Sequence, residues 1–246
     1  MRFHKSISLF VVFVLLAAVQ VSARKEISSI ISPEELKALV DSGADSFLVI
    51  DAREPEEYQE VHIPGAVNVP QKRFSQYEHL LPADKEKMLI FYCNGVKCGK
   101  SGKAAQAAAG LGYTNVLVYV QGMPVWEELN YPVVAGPDYE KKIETTKLSP
   151  ADLQQLLESG RDDFIIVDVR DAGEFAEGHI PGAVNIPVAG LAAQSDRLDK
   201  EKMIVVYCNS GGRSYLAYRK LMKLSYKKIY QSLFADWKEA GHPVES

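Results

Sequence analysis

Short runs of consecutive apolar residues alternate along this chain with segments whose apolar positions recur every three or four residues. Phe47 to Ile50, Leu89 to Tyr92, Val116 to Val120, Phe164 to Val167 and Ile204 to Tyr207 are such runs. They are too short for buried helices and do not alternate with polar residues. They predict strands covered on both faces, as in a parallel sheet. Between them lie helix signals. Ser32-Pro33-Glu34-Glu35 supplies an N-cap serine, a proline in the first turn and a capping-box glutamate, with Leu36, Leu39 and Val40 on one face behind it. Ser149-Pro150-Ala151-Asp152 repeats the device ahead of Leu153, Leu156 and Leu157. Short strands separated by helices predict an α/β fold around a parallel sheet.

The pattern is written twice. Ser32 to Pro70 aligns with Ser149 to Pro187 without a gap, and 20 of those 39 positions are identical. The clearest block is His62 to Pro70 (HIPGAVNVP) against His179 to Pro187 (HIPGAVNIP). Further on, Leu89 to Asn94 matches Ile204 to Asn209, and Trp126 to Val133 matches Trp237 to Val244. A period this long is a domain rather than a solenoid repeat, so the chain reads as a tandem duplication. We place domain 1 at 28–134 and domain 2 at 148–246. Residues 135–147, charged and broken by Gly136-Pro137, form the linker between them.

The first 23 residues follow a different pattern. Arg2 and Lys5 precede an apolar stretch from Ile7 to Val21, which closes on Val21-Ser22-Ala23. A positive start, a short apolar core and a small-residue exit predict a secretory signal peptide cleaved after Ala23. The rival is an uncleaved anchor, but about 15 apolar residues fall short of the roughly 20 that span a bilayer. Export would place the protein in the periplasm or outside the cell, an oxidising setting for its three cysteines. A composition of 47% hydrophobic and 24% charged residues excludes a disordered or collagen-like chain. A net charge of −4 leaves no basic footprint for nucleic acid. The five histidines make no metal-ligand pattern, and nothing calls for a cofactor.

In open α/β sheets, ligands bind outside the carboxyl ends of strands. There the second copy carries Cys208-Asn209-Ser210-Gly211-Gly212-Arg213-Ser214, followed by a helix. Glycines let the backbone turn tightly and aim N–H groups inward, the helix start adds positive dipole, and Arg213 adds a forked charge. Such surroundings lower a thiol pKa from about 8.5 to roughly 3.5–7.5, so Cys208 reads as a thiolate nucleophile. The plain alternative is a buried structural cysteine.

These motifs together resemble the rhodanese superfamily. The resemblance rests on Asp168-Val169-Arg170 with Glu174-Phe175, on Gly178 to Ala183, on the Cys208 to Ser214 loop, and on Trp237 with Gly241-His242-Pro243-Val244. It implies two tandem α/β domains, each a mostly parallel five-stranded sheet flanked by helices. It also implies a sulfurtransferase: Cys208 takes sulfane sulfur from an anion such as thiosulfate and passes it from a persulfide to cyanide, a small thiol or a protein thiol. The resemblance gives the N–H groups of Asn209 to Ser214 the persulfide and gives Arg213 the anionic donor. Four residues between Cys208 and Arg213 is the sulfurtransferase length; related phosphatases use a loop one residue longer.

The first copy departs from this. Its loop, Cys93-Asn94-Gly95-Val96-Lys97-Cys98-Gly99-Lys100-Ser101, is two residues longer, with Lys100 where Arg213 stands. Lysine lacks the bidentate fork, yet Lys97, Lys100 and Lys103 keep the loop positive. Cys93 is then either a second nucleophile with a wider cradle or part of a degenerate structural domain. Cys98, five positions on, is a candidate redox partner for Cys93, by a disulfide or by resolving a Cys93 persulfide. The paired Asp51/Arg53 and Asp168/Arg170, His62, His179, Trp126 and Trp237 read as structural. Two classes stay open: an exported sulfurtransferase working through Cys208, and a non-catalytic or sulfur-sensing module that binds a partner.

Overall fold

A computed structural model describes residues 29–246. The signal-peptide expectation falls on residues outside that range. In domain 1 the strands are β1 (Ser29–Ile30), β2 (Phe47–Asp51), β3 (Val61–His62), β4 (Val67–Asn68), β5 (Met88–Tyr92), β6 (Val116–Tyr119) and β7 (Val134–Ala135). Its helices are α1 (Pro33–Ser42), α2 (Pro55–Glu60), α3 (Phe74–Tyr77), α4 (Lys100–Gly110) and α5 (Gly122–Glu128). Domain 2 has β8 (Phe164–Asp168), β9 (Val184–Asn185), β10 (Met203–Cys208) and β11 (Ile229–Leu233), with α6 (Pro150–Glu158), α7 (Ala172–Glu177), α8 (Gly212–Lys223) and α9 (Phe234–Glu239). The N-caps act as their sequences predict: Ser32 Oγ accepts from Glu35 N, the Glu35 side chain answers to Ser32 N, and Ser149 Oγ accepts from Asp152 N.

The first sheet has five parallel strands in the order β1-β6-β5-β2-β4. The second departs from the expected five strands. It has four parallel strands in the order β11-β10-β8-β9, and Lys147 bridges Gln231 where β1 sits in the first domain. The segment that could supply that strand is the linker, and its backbone meets the sheet at the single residue Gln231, whose N–H donates to Thr146 O. The linker is also anchored at its other end, where Ala135 pairs with Val61 in the short β3–β7 ladder. Tyr215 and Tyr218 dock its middle: each hydroxyl takes a linker amide, from Ile143 and Thr146. The tyrosine spacing alone carried no such signal.

Each sheet is covered on both faces, one buried cluster per face. Trp126 and Trp237 are fully buried, and each indole N–H donates to a proline carbonyl six residues on, Pro132 and Pro243. His62 and His179 stack on Tyr58 and Phe175 at 3.9 and 3.8 Å.

Buried ion pairs close the strand ends. Arg170 Nε and Nη2 grip both oxygens of Asp168, and Nη2 also donates to Gly178 O at 2.7 Å. Arg53, Asp51 and Val61 O repeat this arrangement. The tyrosine just before each cysteine joins in: Tyr92 donates to Asp51 Oδ2 at 2.7 Å and accepts from Ile63 N, and Tyr207 accepts from Ile180 N.

The domains meet through α5 and α8. Buried Glu128 accepts from the amides of Ala192 and Ala193, both at 3.0 Å, and pairs with Lys220, while Lys223 pairs with Glu127 at 2.7 Å. Removing one partner of a buried pair leaves the other charge uncompensated and costs about 3–5 kcal/mol. Asp168→Ala should therefore lower the urea midpoint sharply. Arg161→Ala, which breaks the exposed Arg161–Asp163 pair, should leave the midpoint in place.

Candidate active site

Cys208 is the last residue of β10, and its loop turns directly into α8. Gly211 makes the turn possible: its φ of +102° lies in the left-handed region, and it caps the helix. That conformation aims two amides at the sulfur. Gly211 N donates to Cys208 Sγ at 3.2 Å and Ser214 N at 3.3 Å, with Ser214 Oγ at 3.5 Å. Ser214 is itself held by Gln231, whose Nε2 donates to its Oγ at 2.7 Å and to Gly211 O at 2.9 Å. Gln231 sits on β11 with no spacing relation to the loop, so its place in the sequence gives no sign of this role.

Burial opposes ionisation of Cys208, but the Ser214 hydroxyl and the amides of Ser214, Gly211 and Ser210 outweigh it. The thiol is held below its ordinary value. The sulfur is buried, yet Asn209, Ser210 and Gly212 on the outside of the loop are exposed, leaving that side open to solvent.

Arg213 stands where expected, but its fork is occupied. Nη2 donates to Glu174 Oε1 at 2.8 Å, Nη1 contacts Glu174 Oε2, and Asp171 Oδ2 lies 3.5 Å from Nη1. The pair holds the Glu174 carboxyl at a pKa of about 2, chiefly through the Arg213 hydrogen bonds. A donor anion at this site would compete with Glu174 for the guanidinium. The amides around Sγ are the donors already aimed at the sulfur.

Domain 1 repeats the frame with altered parts. Cys93 follows β5, and its Sγ lies 3.3 Å from Ser101 Oγ, the counterpart of Ser214. Lys100 pairs with Glu57 at 3.2 Å, as Arg213 does with Glu174, and also donates to Asn94 Oδ1 at 3.2 Å. Lys97 reaches across the domain boundary and donates to Leu198 O. The three cations read as anion holders, Lys97, Lys100 and Arg213, thus each have a protein partner.

Domain 2 covers the longer loop. Asn94 Nδ2 donates to Lys223 O at 2.9 Å, and a Cβ on Gly95 would stand 3.0 Å from Leu224 Cδ2. Lys200 of domain 2 also faces the loop. Its ammonium donates to Leu224 O, and burial first, then Lys97 and Lys100, lower its pKa. Neither Lys200 nor Leu224 was legible as a site residue, since both come from the other domain.

Cys93, Cys98 and Cys208 are all free thiols. The Cys93 and Cys98 thiols interact, and hydrogen bonding between them is the largest influence on the ionisation of both. That bond, burial and the charge of Cys98 push Cys93 far up. Cys98 is drawn down to about 6 by the bond from Cys93, and, against burial, by the amides of Asn94 and Lys100 and the Lys100 charge.

The rhodanese-like domain profile matches residues 32–129 and 149–240. The chain therefore belongs to the rhodanese superfamily of sulfurtransferases, as two rhodanese-like domains in tandem. It is 34% identical over 118 residues to the thiosulfate:glutathione sulfurtransferase of Saccharomyces cerevisiae (strain ATCC 204508 / S288c), covering 43% of this chain and 84% of that one. It is 37% identical over 84 residues to the thiosulfate sulfurtransferase GlpE of Coxiella burnetii (strain RSA 493 / Nine Mile phase I), covering 33% of this chain and 78% of that one. Among solved structures, the crystal structure of thiosulfate sulfurtransferase from Pseudomonas aeruginosa aligns over 85% of this chain and 44% of its own, at 22% identity and a TM-score of 0.40.

Ser214→Ala removes the hydroxyl beside Cys208 and one of the hydrogen bonds that favour its thiolate. The pH profile of iodoacetamide alkylation should show Cys208 reacting at lower pH than an ordinary thiol, with the rate falling as pH drops through the lowered pKa. In Ser214→Ala that midpoint should move upward.

Proposed function

We propose that the protein transfers sulfane sulfur from thiosulfate or a similar anion to a thiophilic acceptor, as a persulfide on Cys208. The observation that carries this reading is the ring of amides from Gly211 and Ser214 around a thiol held below its ordinary pKa. The Cys208 thiolate attacks the sulfane sulfur of thiosulfate, the S–S bond of the donor breaks, and sulfite leaves with the bonding pair. The amides that stabilise the thiolate then stabilise the anionic persulfide. A nucleophile such as cyanide takes the outer sulfur and returns the thiolate, giving thiocyanate.

The names of the yeast and Coxiella relatives, with their thiosulfate donor, support this chemistry. The N-terminal pattern of residues 1–23 supports export, and so a working place in the periplasm or outside the cell. Among the described residues, no helix is long and apolar enough to cross a membrane.

Thiosulfate added without reductant should leave one extra sulfur on the Cys208 peptide. Cys208→Ser should abolish thiosulfate:cyanide turnover, and retained turnover would overturn the assignment. Glu174→Gln weakens the competitor for Arg213. Steady-state kinetics should then show a lower KM for thiosulfate; an unchanged KM would place the donor away from Arg213.

A further inference from the structure

The domain 1 loop differs from the Cys208 loop in one decisive respect: its cradle already holds a sulfur. In domain 2 the loop amides point at the sulfur of the strand-end cysteine. In domain 1 the Ser101 amide still favours ionisation of the Cys93 sulfur, but the amides of Asn94 and Lys100 favour that of Cys98, whose Sγ lies 3.8 Å from Asn94 Oδ1. Cys98 thus sits among the donors that would stabilise the outer sulfur of a Cys93 persulfide.

Access is reversed as well. Asn209 and Ser210, which follow Cys208, are exposed, whereas Asn94 and Gly95, which follow Cys93, are buried, with Asn94 bound to Lys223 O and Gly95 beside Leu224. Cys93 is buried beneath Ser101. Cys98 is the half-exposed thiol, flanked by exposed Val96, Lys97 and Gly99.

We propose that domain 1 is a dithiol site that reduces sulfane sulfur to sulfide, with Cys98 as the attacking thiolate and Cys93 as the resolving thiol. The lysines of the loop and Lys200 from domain 2 place positive charge where an anionic donor arrives. Cys98 attacks the sulfane sulfur of thiosulfate and sulfite leaves, giving a Cys98 persulfide. Cys93 then passes its proton to the outer sulfur and attacks the inner sulfur of that persulfide. A Cys93–Cys98 bond forms, the persulfide S–S bond breaks, and the outer sulfur leaves as hydrosulfide. Two thiols are oxidised and one sulfane sulfur is reduced by two electrons. An external dithiol reductant restores the pair by exchange. Both sulfurs belong to one loop and influence each other's ionisation, and Cys98 Sγ lies 3.8 Å from the side chain of Asn94, the residue that follows Cys93. This inference shares the sulfane-sulfur donor of the proposed function but uses neither Cys208 nor its loop.

The test uses the full chain carrying Cys208→Ser, reduced and then freed of reductant without air. Thiosulfate should release one equivalent of sulfide per chain, and peptide mapping should find Cys93 linked to Cys98. Adding dithiothreitol should make sulfide release catalytic. In the same background, Cys93→Ser should stop with a stable extra sulfur on Cys98 and no sulfide. Cys98→Ser should gain no sulfur. The proposal is overturned if the Cys208→Ser protein releases no sulfide, or if Cys98→Ser still loads sulfur onto Cys93. Thiosulfate:cyanide turnover by Cys93→Ser/Cys98→Ser, which keeps Cys208, reads the proposed function separately.

Discussion

The buried ion pair at the end of the central strand, Asp168 with Arg170, is the constraint on which the site depends. Its geometry draws three segments to one point: the end of β8, the turn at Gly178, and Tyr207, whose ring faces the Arg170 guanidinium and whose hydroxyl receives Ile180 N. Tyr207 is the residue before Cys208. A fixed Tyr207 fixes where the chain leaves the sheet, and so where the sulfur stands relative to the amides that follow. Asp51, Arg53 and Tyr92 do the same for Cys93. Neither pair is needed as a source of net stability, because desolvating two charges offsets much of their attraction. Their value lies in the positions they impose.

From that shared frame the two loops diverge by length. Four residues between Cys208 and Arg213 close a ring whose centre is the cysteine's own sulfur. Six residues between Cys93 and Lys100 leave room for a second sulfur, and Cys98 occupies it. The electrostatics follow the geometry. The Ser214 hydroxyl and loop amides lower Cys208 in one domain; in the other, hydrogen bonding with Cys93, followed by loop amides, lowers Cys98, while Cys93 is driven upward. The two extra residues thus place a second, more accessible sulfur in the loop beside the buried one at the strand end.

The interface makes the domains chemically unequal. Glu128 and Glu127 of α5 hold α8 through Lys220 and Lys223, and this docking brings Leu198, Lys200, Lys223 and Leu224 over the Cys93 loop. The Cys208 loop keeps an exposed outer side. Duplication produced two copies of one strand-end site, and packing left one of them facing solvent and the other facing its twin.

The duplication, the α/β class, the helix caps and the strand-end placement of both cysteines were all legible in the sequence. They depend on local chemistry: serine and proline at helix starts, unbroken apolar runs for buried strands, and glycine where φ must be positive. The structural roles of Asp51, Arg53, His62, Trp126 and their partners in copy two were legible for the same reason, since each acts within a few residues of its own turn. What only the tertiary structure decided were relations between distant segments. The linker lends the second sheet one bridge rather than a fifth strand. Glu174 takes the fork of Arg213 from 39 positions away, and Gln231 braces Ser214 from another strand. Lys97 turns away to a carbonyl of the other domain. Hydrogen-bond partners and the exposure of a sulfur depend on three-dimensional neighbours. A loop sequence names the groups available for ionisation chemistry, and the packing around it selects the thiol that uses them.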